Sequence, residues 1–342
     1  MIKTVQGRGV VGMQDSIVED VADVATGATF TAVRRFVADY FTSSTSVIYL
    51  VGCGGSLYMF GAMKYLLDDL PVPVITINSA ELVARRPAGL GQNSLVIASS
   101  THGTTMETAE AITVARSSEA PVLLVCQNVD SPCAAAAEHI INHNGVEAKQ
   151  VLLAVIAHEL LDTRHVVPRS LPAPDVLAGL GPVFRETNVA WDRELEAVAT
   201  SIAHAELSFV IGSGPNEGAI DTFASCYLME MQNLAAVASG ANDFLHGTHE
   251  MIDDDSTLLV LVGEDSTREI AERAAEFARR FSRKTSVLDT AELPMTGVVA
   301  NHRSTVSALL FASSVIARLA QRVEAVTEVP LISRKYMWKA TY

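Results

Sequence analysis

Short runs of hydrophobic residues, many of them β-branched, alternate along this chain with longer segments of helical periodicity. Ser46–Ser56 (SVIYLVGCGGS) predicts a buried strand that runs into a glycine-rich turn, and the helical segment Leu57–Leu67 follows it. Leu207–Asn216 (LSFVIGSGPN) repeats this strand and turn, and another helical segment follows. The turn glycines Gly52 and Gly212 lie 160 residues apart, which indicates an internal duplication.

Two further pairs of predicted strands support the duplication. Ser94–Ser100 corresponds to Thr257–Gly263, and Val122–Cys126 corresponds to Thr285–Leu288. Strands that alternate with helices through right-handed crossovers form a parallel sheet covered on both faces. The sequence therefore predicts an α/β protein of two tandem units, each a doubly wound, flavodoxin-like parallel sheet flanked by helices.

The predicted boundaries follow from these elements and from a bridge that contains three prolines. A chain of 342 residues is long enough for two domains of about 150 residues each. The expected parts are a helical lead-in (1–45), a first unit (46–165), a bridge with a helix near 182–204 (166–205), a second unit (206–330) and a tail (331–342).

Composition narrows the class of protein. The formal net charge is −14 and no basic run of the nucleic-acid-binding type occurs, so we expect no nucleic-acid partner. No apolar run approaches the roughly 20 residues that span a bilayer, and the N-terminus lacks the apolar core of a signal peptide. None of the four cysteines forms a C-x-x-C pair. We expect a cytoplasmic protein with reduced thiols and no membrane association.

The glycine turns do not match the fingerprint of a dinucleotide-binding fold. The third glycine of that fingerprint is replaced by Leu57 in the first copy and by Glu217 in the second. The chain also lacks the GxxxxGK[ST] loop of nucleoside-triphosphate sites. We therefore expect no cofactor.

Ser99–Thr108 (SSTHGTTMET) is more informative, because hydroxyl groups cluster where a predicted strand ends and a helix begins. The unpaired N–H groups of a helix N-terminus favour phosphate. Four side chains would join them there, those of Ser100, Thr101, His102 and Thr105. Gly55 and Ser56 would lie at the same edge of the sheet. Thr104-x-x-Glu107 is also a capping box, so hydroxyls that only cap the helix are the alternative.

A glutamate interrupts the apolar stripe of a helix predicted over Glu217–Ala236. Glu230 shares a face there with Phe223, Cys226, Tyr227 and Leu234. Burial would raise its pKa, as proton abstraction from carbon requires, although a buried acid is commonly a structural ion-pair partner. His246 follows 16 residues later, after a Gly-Ala-Asn-Asp turn. His246 and His249 could both ligate a metal, but no third cysteine or histidine has the spacing of a metal-binding motif, so we expect no metal.

These motifs resemble a known family. The turn GCGGS, the segment STHGTTMET, the doubled unit and the later glutamate and histidine are similar to the sugar isomerase (SIS) domain proteins, which bind phosphosugars. The segments MEMQ at 229–232 and DFLHG at 243–247 and the ending RKYMWKATY resemble the fructosamine-6-phosphate deglycases of this family. Those enzymes act on fructoselysine 6-phosphate or on 6-phosphates derived from fructose-asparagine.

The resemblance implies a role for each group of residues. Glu230 and His246 match the catalytic glutamate and histidine, and the two serine- and threonine-bearing turns match the phosphate-binding turns. It also implies a homodimer in which one subunit lends the histidine to its partner's site. The implied reaction cleaves a fructosamine 6-phosphate to glucose 6-phosphate and a free amino acid, without a metal.

Alternative interpretations stay open for some substrate contacts and for the function. The synthases of the family carry a C-terminal lysine to which no single residue of this chain corresponds. Lys335 and Lys339 both lie near that position in the sequence and are both candidates for substrate contact. Glu81 either touches the sugar or caps the helix that follows it. An aldose–ketose or amino-sugar phosphate isomerase or deaminase needs the same proton transfers, and a non-catalytic phosphosugar sensor keeps the same turns.

Overall fold

A computed structural model of the chain describes residues 16–340. Its strands are β1 (Val47–Gly52), β2 (Val74–Asn78), β3 (Ser94–Ser99), β4 (Val122–Cys126), β5 (His139–Asn142), β6 (Ser208–Gly212), β7 (Ala236–Gly240), β8 (Thr257–Val262) and β9 (Lys284–Asp289).

The α-helices cover the faces of the sheets and build the lead-in, the bridge and the end of the second unit. They are α1 (Ile17–Thr26), α2 (Ala28–Tyr40), α3 (Gly55–Tyr58), α4 (Phe60–Leu66), α5 (Ser79–Arg85), α6 (Met106–Ser117), α7 (Pro132–Ala136), α8 (Gly145–Thr163), α9 (Pro174–Ala178), α10 (Gly181–Ala190), α11 (Asp192–Ala203), α12 (Glu217–Asp221), α13 (Ala241–Phe244), α14 (Arg268–Phe281), α15 (Arg303–Leu310) and α16 (Ile316–Thr327).

The strands form two parallel sheets. The first has the order β2-β1-β3-β4-β5 and the second the order β7-β6-β8-β9. The registers agree, since Gly52 pairs with Asn78 at the end of β1 and Gly212 pairs with Gly240 at the end of β6. All residues of β1, β3, β4, β6 and β8 are buried, as in a parallel sheet covered on both faces. The predicted α/β fold class is confirmed.

The predicted helix of the bridge differs from the structure. The single helix near 182–204 is wrong, because α10 ends before Trp191 and α11 begins after it. Trp191, which separates the two helices, is buried and stacks on Phe311 with ring centroids 6.2 Å apart. The break between the helices therefore coincides with a residue that packs in the core. The short strand β5 was not predicted. The unit boundaries stay predictions, and their ends at 1–15 and 341–342 lie outside the described residues.

The helix predicted over Glu217–Ala236 is also wrong in type and length. After α12 the backbone forms a π-helix over Thr222–Gln232, in which each N–H bonds one residue further back than in an α-helix. The chain leaves this segment at Asn233, in the left-handed conformation with φ of 56°, and enters β7. Such π-helical insertions are rare in proteins overall, and those that occur are often found at functional sites.

The two units contact each other directly. A Cβ atom added at Gly218 of α12 would collide with the carbonyl oxygen of Tyr58 in α3, and one added at Gly61 would lie 3.0 Å from the backbone of Gly218. Helix α8 is buried along most of its length and contacts α1 and α2 of the lead-in as well as α15. The lead-in and both units therefore share packed surfaces.

One helical stretch was not anticipated from the sequence. Ala300–Thr327 is long and apolar enough, by length and composition, to cross a membrane. Its apolar window is 83% buried inside the protein, and its residues pack in the core. Burial against the rest of the chain therefore accounts for the apolar character of this stretch.

Candidate active site

Two turns of the first unit meet at the carboxyl edge of its sheet. The backbone N–H of Thr101 donates to Oγ of Ser56 across 3.2 Å, and the two hydroxyl oxygens lie 3.4 Å apart. Strands β1 and β3, which lead into these turns, are neighbours in the sheet. The structure thus brings together the two turns that the sequence singled out.

The hydroxyls before α6 do not cap that helix. Thr105 holds the N-cap position, but its side chain accepts no hydrogen bond from the first turn of α6. Oγ of Ser100 instead donates to Oγ1 of Thr105 across 3.3 Å. The capping box of Thr104 and Glu107 is not formed, and the N-terminal amides of α6 keep their affinity for an anion.

Lys149 completes this turn region and was missed in the sequence. Its side chain comes from α8 and is fully buried, and Nζ donates to Oγ1 of Thr101 across 3.3 Å. Burial lowers the pKa of Lys149 to about 8. The sequence signal was weak, because Lys149 stands beside Gln150 at the polar start of α8, just before the apolar run of that helix.

The C-terminal tail reaches the same turn. The rings of His102 and Trp338 lie edge to face with centroids 6.3 Å apart, and the guanidinium carbon of Arg334 lies 5.1 Å from the Trp338 ring centroid. Partial burial lowers the pKa of His102, and the charges of Arg334 and Lys149 lower it further. A neutral imidazole at this position can hydrogen-bond a ligand but adds no positive charge.

Glu230 lies on the π-helical segment and pairs with the tail. Nε of Arg334 is 2.7 Å from Oε1 of Glu230, and the side chains are 8% and 27% exposed. Burial raises the pKa of Glu230, and the Arg334 guanidinium opposes that shift. Sequence reasoning found the carboxylate but missed its partner, because Arg334 stands 104 positions later in the chain.

Cys226 links Glu230 to the phosphate turns. The thiol lies against Gly55, where an added Cβ atom would be 3.1 Å from Sγ. Burial, followed by the charge of Glu230, raises the pKa of Cys226 to about 12. The π-helical segment therefore packs on the first turn, and its carboxylate belongs to the same region of the molecule.

The two histidines of the HGTHE motif have different surroundings. His246 follows α13 with an exposed side chain, and no hydrogen bond or ion pair joins it to Glu230 within residues 16–340. His249 is partly buried, with Nδ1 3.2 Å from the carbonyl oxygen of Phe244 and Nε2 3.2 Å from Oε1 of Glu250. His249 thus packs locally, and the chain itself does not bring His246 to the carboxylate.

The three further candidates for substrate contact have other partners. Glu81 forms an exposed ion pair with Arg85, and Asn78 accepts the capping hydrogen bond of α5 instead. Nζ of Lys335 lies 5.2 Å from the Tyr336 ring centroid, and Nζ of Lys339 donates to the carbonyl oxygen of Arg334. The tail side chain that reaches the carboxylate is an arginine rather than a lysine.

The second unit carries carboxylates where the first carries hydroxyls. Glu264 and Asp265 follow β8, at the positions of Thr101 and His102. Oδ1 of Asp265 accepts hydrogen bonds from the N–H and the hydroxyl of Thr267 across 2.8 Å and 2.5 Å. The amide that an anion would use is therefore already bonded to the protein's own carboxylate.

Comparison with known proteins identifies similar chains. Residues 42–160 match the SIS domain family. The chain is 28% identical over 326 residues to the fructosamine deglycase FrlB of Bacillus subtilis, covering 93% of this chain and 99% of the relative. It is 24% identical over 274 residues to the fructoselysine 6-phosphate deglycase of Escherichia coli, covering 76% and 78%.

Solved structures agree with the fold. A structure named as a phosphosugar isomerase from Bacillus subtilis has a TM-score of 0.86 and 25% identity, and covers 96% of this chain and 99% of its own. Another of that name, from Salmonella typhimurium, has a TM-score of 0.84 and 25% identity, with 93% and 100% covered. Each of these matches extends over both sheets.

Proposed function

Residues 42–160 match the SIS domain family, and from that premise we propose that this chain is a SIS-domain deglycase. It cleaves a fructosamine 6-phosphate, a conjugate of a sugar and an amino acid, to glucose 6-phosphate and the free amino acid. Its relatives support the broader class of phosphosugar isomerases and deglycases. One observation carries the proposal: a partly buried Glu230 with a raised pKa lies on the segment that packs against the Gly55 turn.

The phosphate end of the substrate binds at the first unit. The N-terminal amides of α6 and the hydroxyls of Ser56, Thr101 and Thr105 supply hydrogen-bond donors. The buried ammonium group of Lys149 supplies the positive charge. A dianion that takes these donors leaves the carbon end of the sugar free to reach the second unit.

The chemistry at the carbon end is proton transfer. The closed sugar ring first opens to the C2 ketone, with His246 moving the proton. Glu230 then removes a proton from C1, and the electron pair of that C–H bond forms the C1–C2 double bond while the π pair of the C2 carbonyl moves to its oxygen, which takes a proton to give the enaminol. Reprotonation at C2 gives an imine at C1. Water adds to the imine carbon, and the C–N bond breaks to release the amine and the aldehyde of glucose 6-phosphate.

A second subunit completes the site in this proposal. His246 is exposed in the single chain and does not contact Glu230. A homodimer that places the partner subunit's His246 beside Glu230 joins the two groups without any change of fold. The exposed position of the imidazole supports this arrangement.

The test is a screen of phosphorylated substrates with coupled detection of glucose 6-phosphate. We expect release from fructosamine 6-phosphates and not from fructose 6-phosphate or glucosamine 6-phosphate. Glu230→Gln should lose turnover roughly 10³-fold while still binding glucose 6-phosphate. Glu276→Gln, at an exposed glutamate of α14, is the matched control and keeps full turnover. Turnover of fructose 6-phosphate alone would indicate an isomerase instead.

Mixing two inactive variants tests the shared site. In a mixed dimer of Glu230→Gln and His246→Asn, one of the two sites receives an intact glutamate and an intact histidine. Random exchange of subunits should then restore about a quarter of the wild-type activity. If the mixture stays as inactive as its components although subunits exchange, each site draws both groups from one chain.

A further inference from the structure

Arg334 is held firmly beside the carbon end of the proposed site. Its Nε lies 2.7 Å from Oε1 of Glu230, and Nη1 donates to the carbonyl oxygens of Leu331 and Ser333 across 2.8 Å each. The guanidinium also lies over the ring of Trp338. Three sides of the group are therefore fixed by the protein before any substrate binds.

The remaining side is available to a ligand. Within residues 16–340, Nη2 of Arg334 has no hydrogen-bond partner, although the side chain is only 8% exposed. A guanidinium pairs best with a carboxylate, through parallel N–H donors, and such charge-assisted hydrogen bonds are strong in a partly buried site. The free amino group adjoins the carboxylate that would remove the C1 proton.

We propose that Arg334 is a specificity-determining residue that binds the α-carboxylate of a substrate whose amino acid is joined to C1 of the sugar through its α-nitrogen. This inference rests on the proposed function. In such a conjugate the carboxylate stands one carbon beyond the nitrogen on C1, so it meets a cation that adjoins Glu230. In a conjugate formed through a lysine side chain, four methylene groups hold the carboxylate away from C1.

The same contact explains why a cation adjoins a catalytic base. In the free protein Glu230 is the anion that balances Arg334. A substrate carboxylate at Nη2 shares the guanidinium charge and weakens its hold on the base. The filled site then holds two carboxylates and one guanidinium, so Glu230 and the substrate carboxylate compete for Arg334. A conjugate without the carboxylate leaves Arg334 fully paired with Glu230 and binds with one charged contact fewer.

The experiment compares two ligands that differ only in the carboxylate. These are N-α-fructosylalanine 6-phosphate and N-fructosylethylamine 6-phosphate, each also prepared as the C2 alcohol, which binds but cannot react. Loss of the carboxylate should weaken binding of the alcohol to the wild-type protein by roughly 10- to 100-fold. In Arg334→Met this ratio should fall to within about threefold, and Arg334→Lys should lie between.

The control and the contrary outcomes separate this inference from the proposed function. Arg273→Met, at an exposed arginine of α14, should keep the wild-type ratio. Binding of the ethylamine ligand shows that Arg334→Met is folded. Equal affinity of the wild-type protein for both ligands, or an unchanged ratio in Arg334→Met, overturns the role of Arg334 while the deglycase proposal stands. If neither these two substrates nor fructoselysine 6-phosphate releases glucose 6-phosphate, the deglycase proposal itself fails.

Discussion

The ammonium group of Lys149 donates a 3.3 Å hydrogen bond to the hydroxyl of Thr101. Within the described residues this hydroxyl is its one hydrogen-bond partner, and the side chain is fully buried. A buried cation with a single neutral partner is costly for the folded state. In the proposed site a bound phosphate would offset this cost, so binding and stability should respond oppositely to the removal of the lysine.

Lys149→Met should make the protein more stable and weaken its affinity for sugar phosphates. Methionine keeps the length of the side chain and removes the buried charge, so we expect the free energy of unfolding at pH 7 to rise by about 1–3 kcal/mol. Denaturant unfolding measures the first effect and calorimetry with glucose 6-phosphate the second. Lys284→Met, at a half-exposed lysine, should change neither by much. A variant that binds as tightly as the wild type would remove Lys149 from the site.

The affinity for glucose 6-phosphate should depend on pH through the same lysine. Its pKa is about 8 in the folded protein, against 10.5 ordinarily, so the free site loses its charge as the pH rises through 8. The affinity should be nearly constant from pH 7 to 8 and then fall by up to tenfold per pH unit, with proton uptake on binding. Between about pH 8 and 10.5 Lys149 carries a proton in the unfolded state but not in the folded state. The free energy of unfolding should therefore rise with pH through that window. Lys149→Met should bind with little pH dependence above pH 8.

The acidic limb of turnover should report Glu230. Burial raises its pKa above the ordinary 4.5, and a base works only when it is deprotonated, so kcat should fall as the pH falls through that raised value. Arg334→Met removes the charge that lowers the pKa of Glu230 and should move the limb to higher pH. We would measure kcat rather than kcat/KM, because the phosphate of the free substrate titrates near pH 6. A limb that does not move in Arg334→Met would show that the ion pair has no influence on the base.

Gly218→Ala should destabilise the contact between the two units. The added methyl group would collide with the carbonyl oxygen of Tyr58, and backbone cannot yield as a flexible side chain does. We expect a loss of roughly 2–4 kcal/mol, although alanine is the better helix former. Gly247→Ala is the matched control, since nothing lies within 4 Å of the added atom. A thermal midpoint of Gly218→Ala equal to that of the control would contradict the close packing of α3 and α12.

Much of the fold and part of the candidate site follow from local patterns in the sequence. The predicted strands β1, β3, β4, β6 and β8 are buried throughout, and parallel strands buried on both faces appear in a sequence as continuous apolar runs. Ser56 and Thr101 could be placed together because neighbouring parallel strands end at the same edge. The short strand β5 carries too few residues to be recognised this way.

The remainder depends on contacts between distant parts of the chain. Lys149 meets Thr101 from a helix 48 residues further on, and Arg334 meets Glu230 across 104 residues. No spacing rule connects such positions. The π-helical turn was missed for a similar reason, because the composition of Thr222–Gln232 suits an α-helix and packing against the first unit accompanies the wider winding.

The occupied turn after β8 has a consequence for the stoichiometry of the protein. The Asp265 carboxylate holds the amide and hydroxyl of Thr267, and the neighbouring Glu264 is ion-paired with Arg303. An incoming dianion would be repelled there, so a chain made of two similar halves should take up a single phosphosugar. Under the proposed function, the second unit would then supply acid–base groups to a ligand whose phosphate is bound by the first unit.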